Sequence, residues 1–470
     1  MAFDPIYASV KETIASIQHL EASPVELVER LIDRIEEVNP SGHFFISINA
    51  DGARVAARSV EVAIKSGSNR QALAGVPFAC KDVFWTRELP TTGGSRVLEN
   101  WVADQDAAVL ERLAESGAIL LGKTNLHEFG YGATGINPHF GTAVNPWSPD
   151  RIAGGSSTGS AASVACGLVP FALGTDAGGS VRGPAALCGV VGLKPTYGRI
   201  SGFGSIPYSW SIDHVGIFSR SVEDVAVVLE VLAGFDSRDP VSVAAPVPRY
   251  SEALGGDIRD LRIGVPRRFF YDHVDPEILA ATFDALRCAE GLGAKLVDVE
   301  TPDLDATRTV SLTIQMPEVL SYHSRFLATK RELYGEDLKS GFAVGQFILA
   351  EHYVRAKRIV TQYRQDLSAI FEDVDLLMTP TCPVVAPRLD QVTVTTEGKE
   401  EALGDAHSRF TNFFNLTGNP AISIPSGLHS TGLPMGVQVI ARPFEEETLL
   451  RAGDAIQRAI DLPALRPMNT

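Results

Sequence analysis

The chain has 470 residues, 45% hydrophobic and 21% charged, proportions that allow a large buried core and exclude a disordered chain. A formal net charge of −16 without any clustered run of Lys and Arg excludes nucleic acid and anionic membrane as expected partners. Five cysteines, Cys80, Cys166, Cys188, Cys288 and Cys382, are odd in number, widely separated and in no CxxC pattern, which argues against both a disulfide framework and a zinc site.

Met1-Ala2-Phe3-Asp4-Pro5 carries no basic segment leading into an apolar one. The longest apolar run, within 161–174, is interrupted by glycine and too short to span a bilayer. The expectation is a reduced, cytoplasmic protein. Ser23-Pro24-Val25-Glu26 reads as a helix start, with Ser23 as N-cap, Pro24 at the first helical position and Glu26 closing a capping box. Val25, Leu27, Val28, Leu31, Ile32 and Ile35 follow at helical spacing and predict a core-facing stripe.

Across 73–234 the pattern changes to short apolar runs punctuated by glycine, such as 118–122 and 171–174, alternating with helical stretches such as 107–116. Strands alternating with helices predict an α/β sheet layered between helices. A Pro-rich stretch at 236–250 separates this half from a second, where 261–265 reads as a strand and 275–292 as a helix. The segment 316–371 is helical, aromatic, charged and poor in glycine, and is expected to cover or shape a site. Strands return from Asp375 through 421–425 to 436–440, so the C-terminal part should complete the sheet. The predicted organisation is one domain over 1–470 with a helical, more variable insertion at about 270–372.

Three segments place small residues and hydroxyls where an ordinary core would place branched hydrophobes. In Gly75-Val76-Pro77-Phe78-Ala79-Cys80-Lys81-Asp82 a lysine closes an apolar, strand-like run. A buried lysine is costly unless neutralised or paired, and on this segment alone Lys81 could equally snorkel to the surface or pair with Asp82. In Gly154-Gly155-Ser156-Ser157-Thr158-Gly159-Ser160 a Gly-Ser loop opens a helix and presents unpaired N–H groups to developing negative charge. The phosphate-loop lysine is missing, since Ser160 and Ala161 follow Gly159, so a nucleotide site is not expected. In 174–184, Gly178 and Gly179 precede Ser180, which lets backbone N–H groups converge as an oxyanion hole requires. No G-x-S-x-G elbow is present, and His127, His139 and His214 form no pattern of a triad base.

Together these segments resemble the amidase signature family of serine hydrolases, with its Ser–cis-Ser–Lys triad. The resemblance extends through Gly122-Lys123-Thr124-Asn125, Asn145-Pro146-Trp147, Gly192-Leu193-Lys194-Pro195-Thr196 and 219–224, and resumes at 415–421 and 432–436. It implies the family's fold, a large mixed, mostly parallel twisted sheet sandwiched between helices. By resemblance Lys81 is the base, Ser156 the cis-peptide proton relay and Ser180 the nucleophile. The amides of Ala177, Gly178, Gly179 and Ser180 would form the oxyanion hole, braced by Ser157, Asp176 and Arg182. Thr158 departs from the pattern, which has glycine there.

Tyr131, Gly132, Ala133 and Thr134 should line the acyl side, and Tyr208 and Trp210 a further wall. Glu318, Tyr322 and His323 are candidates to reach the site from the helical insertion. The resemblance implies a cofactor-independent, metal-free enzyme acting on small linear amides, aryl amides, carbamates or esters, and association with a second copy of the chain is compatible with it. One branch of the family is the glutaminase subunit of the tRNA-dependent amidotransferase. That branch carries a Tyr-Asp-Gly-x-Arg-Tyr-Gly stretch where this chain reads Ser321-Tyr322-His323-Ser324-Arg325-Phe326, which favours a stand-alone amidase over the glutaminase branch.

Overall fold

The computed structural model describes residues 4–68, 71–462 and 465–467; Met1, Ala2 and Phe3 of the N-terminal stretch lie outside them. Eleven strands form one sheet in the order Phe45–Ile48, Ile119–Thr124, Pro77–Lys81, Phe171–Asp176, His214–Ser219, Val191–Lys194, Ala421–Leu428, Pro434–Ala441, Leu376–Pro380, Arg262–Val265 and Lys295–Asp298. The expected large mixed sheet with flanking helices is therefore present, and strands after Asp375 complete it. Pro77–Lys81 and Arg262–Val265 are each parallel to both neighbours. The remaining ladders are antiparallel and outnumber them. The short connection at 429–433 can only reverse the chain, because a parallel pairing needs a long crossover.

The central strands are buried almost throughout, Thr175 being half-buried, so both faces of the sheet need cover. Phe78 and Phe171 stack across neighbouring strands with ring centroids 5.3 Å apart. Helix Thr158–Ala165 is buried at every residue, which explains its small side chains. A Cβ at Gly159 would overlap the Phe44 carbonyl oxygen, so only glycine admits that approach.

Helix Pro24–Gly42 begins as predicted, with Ser23 Oγ accepting from the Val25 and Glu26 amides. The capping box does not form: Ser23 Oγ donates to Glu61 instead, at 2.6 Å, and Glu26 is exposed. Leu27, Val28, Leu31, Ile32 and Ile35 are buried as the stripe requires, whereas Val25 is half-buried.

Three helices, Thr307–Lys330, Glu336–Gly345 and Ala350–Asp373, make up the long helical region. The stretch 270–372 is not wholly helical, since Lys295–Asp298 within it forms the edge strand of the sheet, parallel to Arg262–Val265. Its polar ends and partly exposed middle residues lack the apolar run by which a central strand is recognised. An aromatic cluster ties this region to the C-terminal part. Phe413 packs against Tyr363 at 5.4 Å, Phe414 at 5.3 Å and Phe270 at 6.4 Å. Phe413→Ala is expected to cost about 3–5 kcal/mol, read as a lowered thermal unfolding midpoint; an unchanged midpoint would mean that the cluster does not hold the helices in place.

Candidate active site

Lys81 ends the strand Pro77–Lys81 with its side chain fully buried. Its Nζ donates to Ser156 Oγ at 2.7 Å and to Thr175 Oγ1 at 2.8 Å, and it forms no ion pair among the described residues. Asp82, the alternative partner suggested by sequence, is committed elsewhere: its carboxylate lies 3.1 Å from Lys123 Nζ and accepts from Thr92. Burial draws the Lys81 pKa down to about 7, against the opposing charges of Asp213 and Asp176. The amine therefore has an appreciable neutral fraction near pH 7 and two hydroxyls to exchange protons with.

Ser156 sits in the loop between strand Ser148–Ile152 and helix Thr158–Ala165, and the Gly155–Ser156 peptide is cis. Thr158 opens the helix, close against Gly135, whose φ of +80° tolerates no side chain readily. Ser157 joins two loops: its N–H donates to the Ser180 carbonyl at 3.3 Å, and its Oγ bonds both backbone polar groups of Thr175. Ser180 lies half-buried between strand Phe171–Asp176 and helix Arg182–Cys188, at the wall of a cleft.

The turn that carries Ser180 is built around the Asp176 carboxylate. Asp176 accepts from the Gly179 amide at 2.7 Å, the Val181 amide at 3.1 Å and Asn415 Nδ2 at 2.8 Å. It also meets Arg182 Nε and Nη2, both at 3.1 Å. Burial alone would raise this carboxyl, but the Arg182 guanidinium, reinforced by Lys194 and Asn415, holds it well below the usual carboxylate range. Arg182 in turn donates to Asn415 Oδ1, the Thr411 carbonyl and Gln438 Oε1. Gly179 has φ +119°, and a Cβ there would overlap Thr411 Oγ1. The same Asp176 bond takes the Gly179 N–H out of the expected oxyanion set. The amides of Ala177, Gly178 and Ser180 have no partner among the described residues.

The cleft has a volume of about 290 Å³. Tyr131, Gly132, Ala133, Thr134 and Tyr208 line it. Trp210 does not: it is 58% exposed and borders a separate groove. Asp213 accepts from the Tyr208 and Ser209 amides, and Glu318 from Ser209 Oγ and the Ser211 amide, closing a turn that places Tyr208 and Trp210 on different surfaces. Glu318 is thus a buried brace of this turn, not a cleft residue. Tyr322 also lies off the cleft, and His323 packs among Phe129, Tyr334 and Phe342.

The residues that do reach the cleft from this helix are Arg308, Leu312, Gln315 and Met316. Positions 308, 312 and 315 form one helical stripe, but the helix starts at Thr307, ahead of the segment that its aromatic and charged composition marks. Gln315 accepts from Tyr208 Oη at 3.0 Å and donates to the Ala177 carbonyl at 3.2 Å. His127, Asp337, His407 and Ser408 also line the cleft and carry no local sequence signal. His127 Nε2 and Asp337 Oδ2 are 2.6 Å apart. No group of side chains among the described residues is arranged to hold a metal ion, and no helix among them is long and apolar enough to cross a membrane.

The mixed sheet between helices, with a buried lysine bonded to the hydroxyl of a loop whose Gly154 and Gly155 line the cleft, defines an amidase-type α/β fold. The chain belongs to the amidase signature family: the family model Amidase matches residues 26–450. It is 39% identical to a glutamyl-tRNA(Gln) amidotransferase subunit from Chloroflexus aurantiacus, over 98% of either chain. A solved structure reported as a vestigial protein complex, bearing on the origins of an s-triazine catabolic enzyme, is 34% identical and superposes with a TM-score of 0.92 over 96% of this chain and 98% of that one. A bacterial aryl acylamidase of the amidase signature family is 29% identical, with a TM-score of 0.90 over 99% of this chain and 100% of that one. At the general level the chain is an amidase-type hydrolase of carbon–nitrogen bonds.

Arg182→Met should leave the Asp176 carboxylate buried and unpaired, at a cost of about 3–5 kcal/mol. Thermal unfolding measures it, and a loss below about 1 kcal/mol would contradict the role given to this pair.

Proposed function

We propose that the chain hydrolyses small amides through an acyl-enzyme on Ser180, with Lys81 as base and Ser156 as proton relay. The observation that carries this reading is the buried Lys81 amine, held by Ser156 Oγ at 2.7 Å and paired with no carboxylate among the described residues. A serine hydroxyl is a poor nucleophile until a base removes its proton. Ser180 Oγ attacks the carbonyl while its proton passes to Ser156, which gives its own to Lys81. The path then reverses: Lys81 returns a proton through Ser156 to the leaving nitrogen, the carbon–nitrogen bond breaks and ammonia or an amine departs. Water attacks the Ser180 ester by the same route and releases the acid. The amides of Ala177, Gly178 and Ser180 are the donors available to each tetrahedral oxyanion, where one donor contributes about 10²–10³ in rate. Thr175 is a positioning residue, fixing the amine from the opposite side. Esters and carbamates satisfy the same chemistry.

The comparisons favour the amide-cleaving component of an amidotransferase over the stand-alone enzyme, which reverses the order suggested by residues 321–326. Relatives 36–40% identical along almost the whole chain carry the amidotransferase name. The stand-alone reading keeps the departure at 321–326 and the likeness to the aryl acylamidase. Turnover by the purified chain separates the two: glutamine hydrolysis that appears only with partner subunits supports the first, and unaided cleavage of simple amides or anilides supports the second.

Lys81→Ala, Ser156→Ala and Ser180→Ala should each lower kcat by roughly 10⁴–10⁶-fold, and a fluorophosphonate should label Ser180 alone. Full activity in any of the three, or labelling elsewhere by mass spectrometry, removes the assignment. The base works only when neutral, so activity is lost below its pKa. Hence kcat/KM should rise with pH through an apparent pKa of about 7 and level off above it; a profile that falls across this range contradicts Lys81 as base.

A further inference from the structure

The groove that Trp210 borders has a volume of about 230 Å³ and shares no lining residue with the cleft of Ser180. Asp213 and His214 both line it. Asp213 Oδ2 accepts from the Tyr208 amide at 2.8 Å and the Ser209 amide at 3.0 Å, while Oδ1 is buried without a partner among the described residues. His214 Nδ1 lies 2.7 Å from the Ile212 carbonyl and 3.2 Å from the Asp176 carbonyl. A carbonyl is met only by an N–H, so a neutral ring carries its proton there and Nε2 is left as an acceptor. Burial, reinforced by Lys194, holds the imidazole well below its ordinary pKa and so keeps it neutral. Its side chain is 4% exposed, and Nε2 too has no partner among the described residues. Tyr197, whose ring packs on His214 at 5.3 Å, donates its hydroxyl to the Trp210 carbonyl and satisfies neither acceptor. Two buried acceptors without a donor are costly, and call for a ligand that brings N–H groups.

We propose that this groove binds a small primary ammonium on Asp213 Oδ1 and His214 Nε2, and that the bound cation assists Lys81 as base. The effect on rate rests on the reading of Lys81 given above. The charges around the groove set the sign of the ligand. Arg238, which also lines it, is engaged by Glu111 and Asp236, and Asp239 accepts from the Gly202 and Val241 amides. Asp213 is left without a counter-ion, and burial pushes its carboxyl up to about 6 against the pull of its two amide donors. An ammonium supplies N–H groups and charge together, and an imidazole nitrogen suits an N–H donor. The Trp210 ring at the rim is placed to cover the alkyl part. Asp213 and Asp176 are the charges that hold the proton on Lys81 against burial. A cation on Asp213 offsets the first, so the amine becomes neutral at lower pH. The other charged groups are already engaged. Asp176 is matched by Arg182, and Glu318, the acid facing Asp213, accepts from Ser209, Ser211 and Tyr353. Lys194, which faces His214, donates to the Pro195 and Asn419 carbonyls.

The test sets ethylammonium chloride against tetramethylammonium chloride at equal ionic strength, using the full-length chain. Saturation-transfer NMR should show ethylammonium bound and tetramethylammonium, which has no N–H, unbound. At pH 6.5 ethylammonium should raise kcat/KM for the amide hydrolysed fastest by roughly twofold to threefold. At pH 9, where Lys81 is already neutral, it should change nothing. Asp213→Asn and His214→Asn, the second keeping a donor in place of Nδ1, should each abolish both the binding and the rise. Trp210→Ala should leave the rate without ammonium unchanged and raise the half-saturating concentration by roughly twofold to fivefold. An equal rise with tetramethylammonium, a rise that persists in Asp213→Asn, or binding that leaves the pH profile unmoved overturns the proposal. Full turnover by Lys81→Ala with ethylammonium still bound would instead remove Lys81 as base, which is a separate outcome from an empty groove.

Discussion

The site depends on one amine taken out of water without a counter-ion. Lys81 is the last residue of a central strand, and on either side of it the sheet and the loop of Ser156 exclude solvent. Desolvation of an ammonium is expensive enough that the group gives up its proton instead of keeping its charge. What the fold then has to supply is two acceptors at hydrogen-bond distance, and it does so from different elements: Ser156 from the Gly-Ser loop and Thr175 from the neighbouring strand. The all-buried helix behind Ser156 can come this close to the sheet because it is built of Thr, Gly, Ser, Ala and Val.

Nearby buried charges are treated in the opposite way. Lys123 is matched by Asp82, and Arg182 by Asp176, each pair fully buried. A buried pair of this kind contributes little net stability over an apolar replacement, but losing one partner is severe. Its value here is positional. The Asp176–Arg182 pair gathers backbone amides, Asn415, Gln438 and the Thr411 carbonyl around one turn, and that turn presents Ser180. Charge neutralised within a pair fixes geometry, while the amines of Lys81 and Lys194, both fully buried, have no ion-pair partner among the described residues and bond only hydroxyls or carbonyls.

The sheet, its C-terminal completion and the stripe of helix Pro24–Gly42 are legible because strand and helix periods are local properties of the sequence. Lys81, Ser156 and Ser180 stand out individually because each breaks the pattern of its own segment, a charge after an apolar run or a hydroxyl after consecutive glycines. Residues whose importance comes only from packing do not. Thr175 looks like any strand threonine until Lys81 Nζ is seen 2.8 Å away, and His407 and Asp337 lie on helices with no distinguishing local signal. Trp210 misleads in the other direction: an aromatic two positions from Tyr208 reads as a second wall, whereas the turn braced by Asp213 and Glu318 sends the two rings to different surfaces. Glu318 misleads for a related reason, since a buried acid in a helix facing a site reads the same whether it meets ligand or merely holds a loop.

The two sides of the cleft are made from parts of the chain under different constraints. On one side Lys81, Ser156 and Ser180 come from a strand end and glycine turns, where replacing Gly179 or Gly159 would force a Cβ atom into a side-chain hydroxyl or a backbone carbonyl. On the other side, Arg308, Leu312 and Gln315 come from one face of helix Thr307–Lys330. Gln315 links the two, bonding Tyr208 Oη and the Ala177 carbonyl. The Lys81, Ser156 and Ser180 side of the cleft is therefore tied to the sheet and its glycine turns, and the opposite wall is a helical surface. A change at Gln315 would therefore reach the turn of Ser180 through the Ala177 carbonyl, whereas Leu312 meets the cleft without a hydrogen bond to that turn.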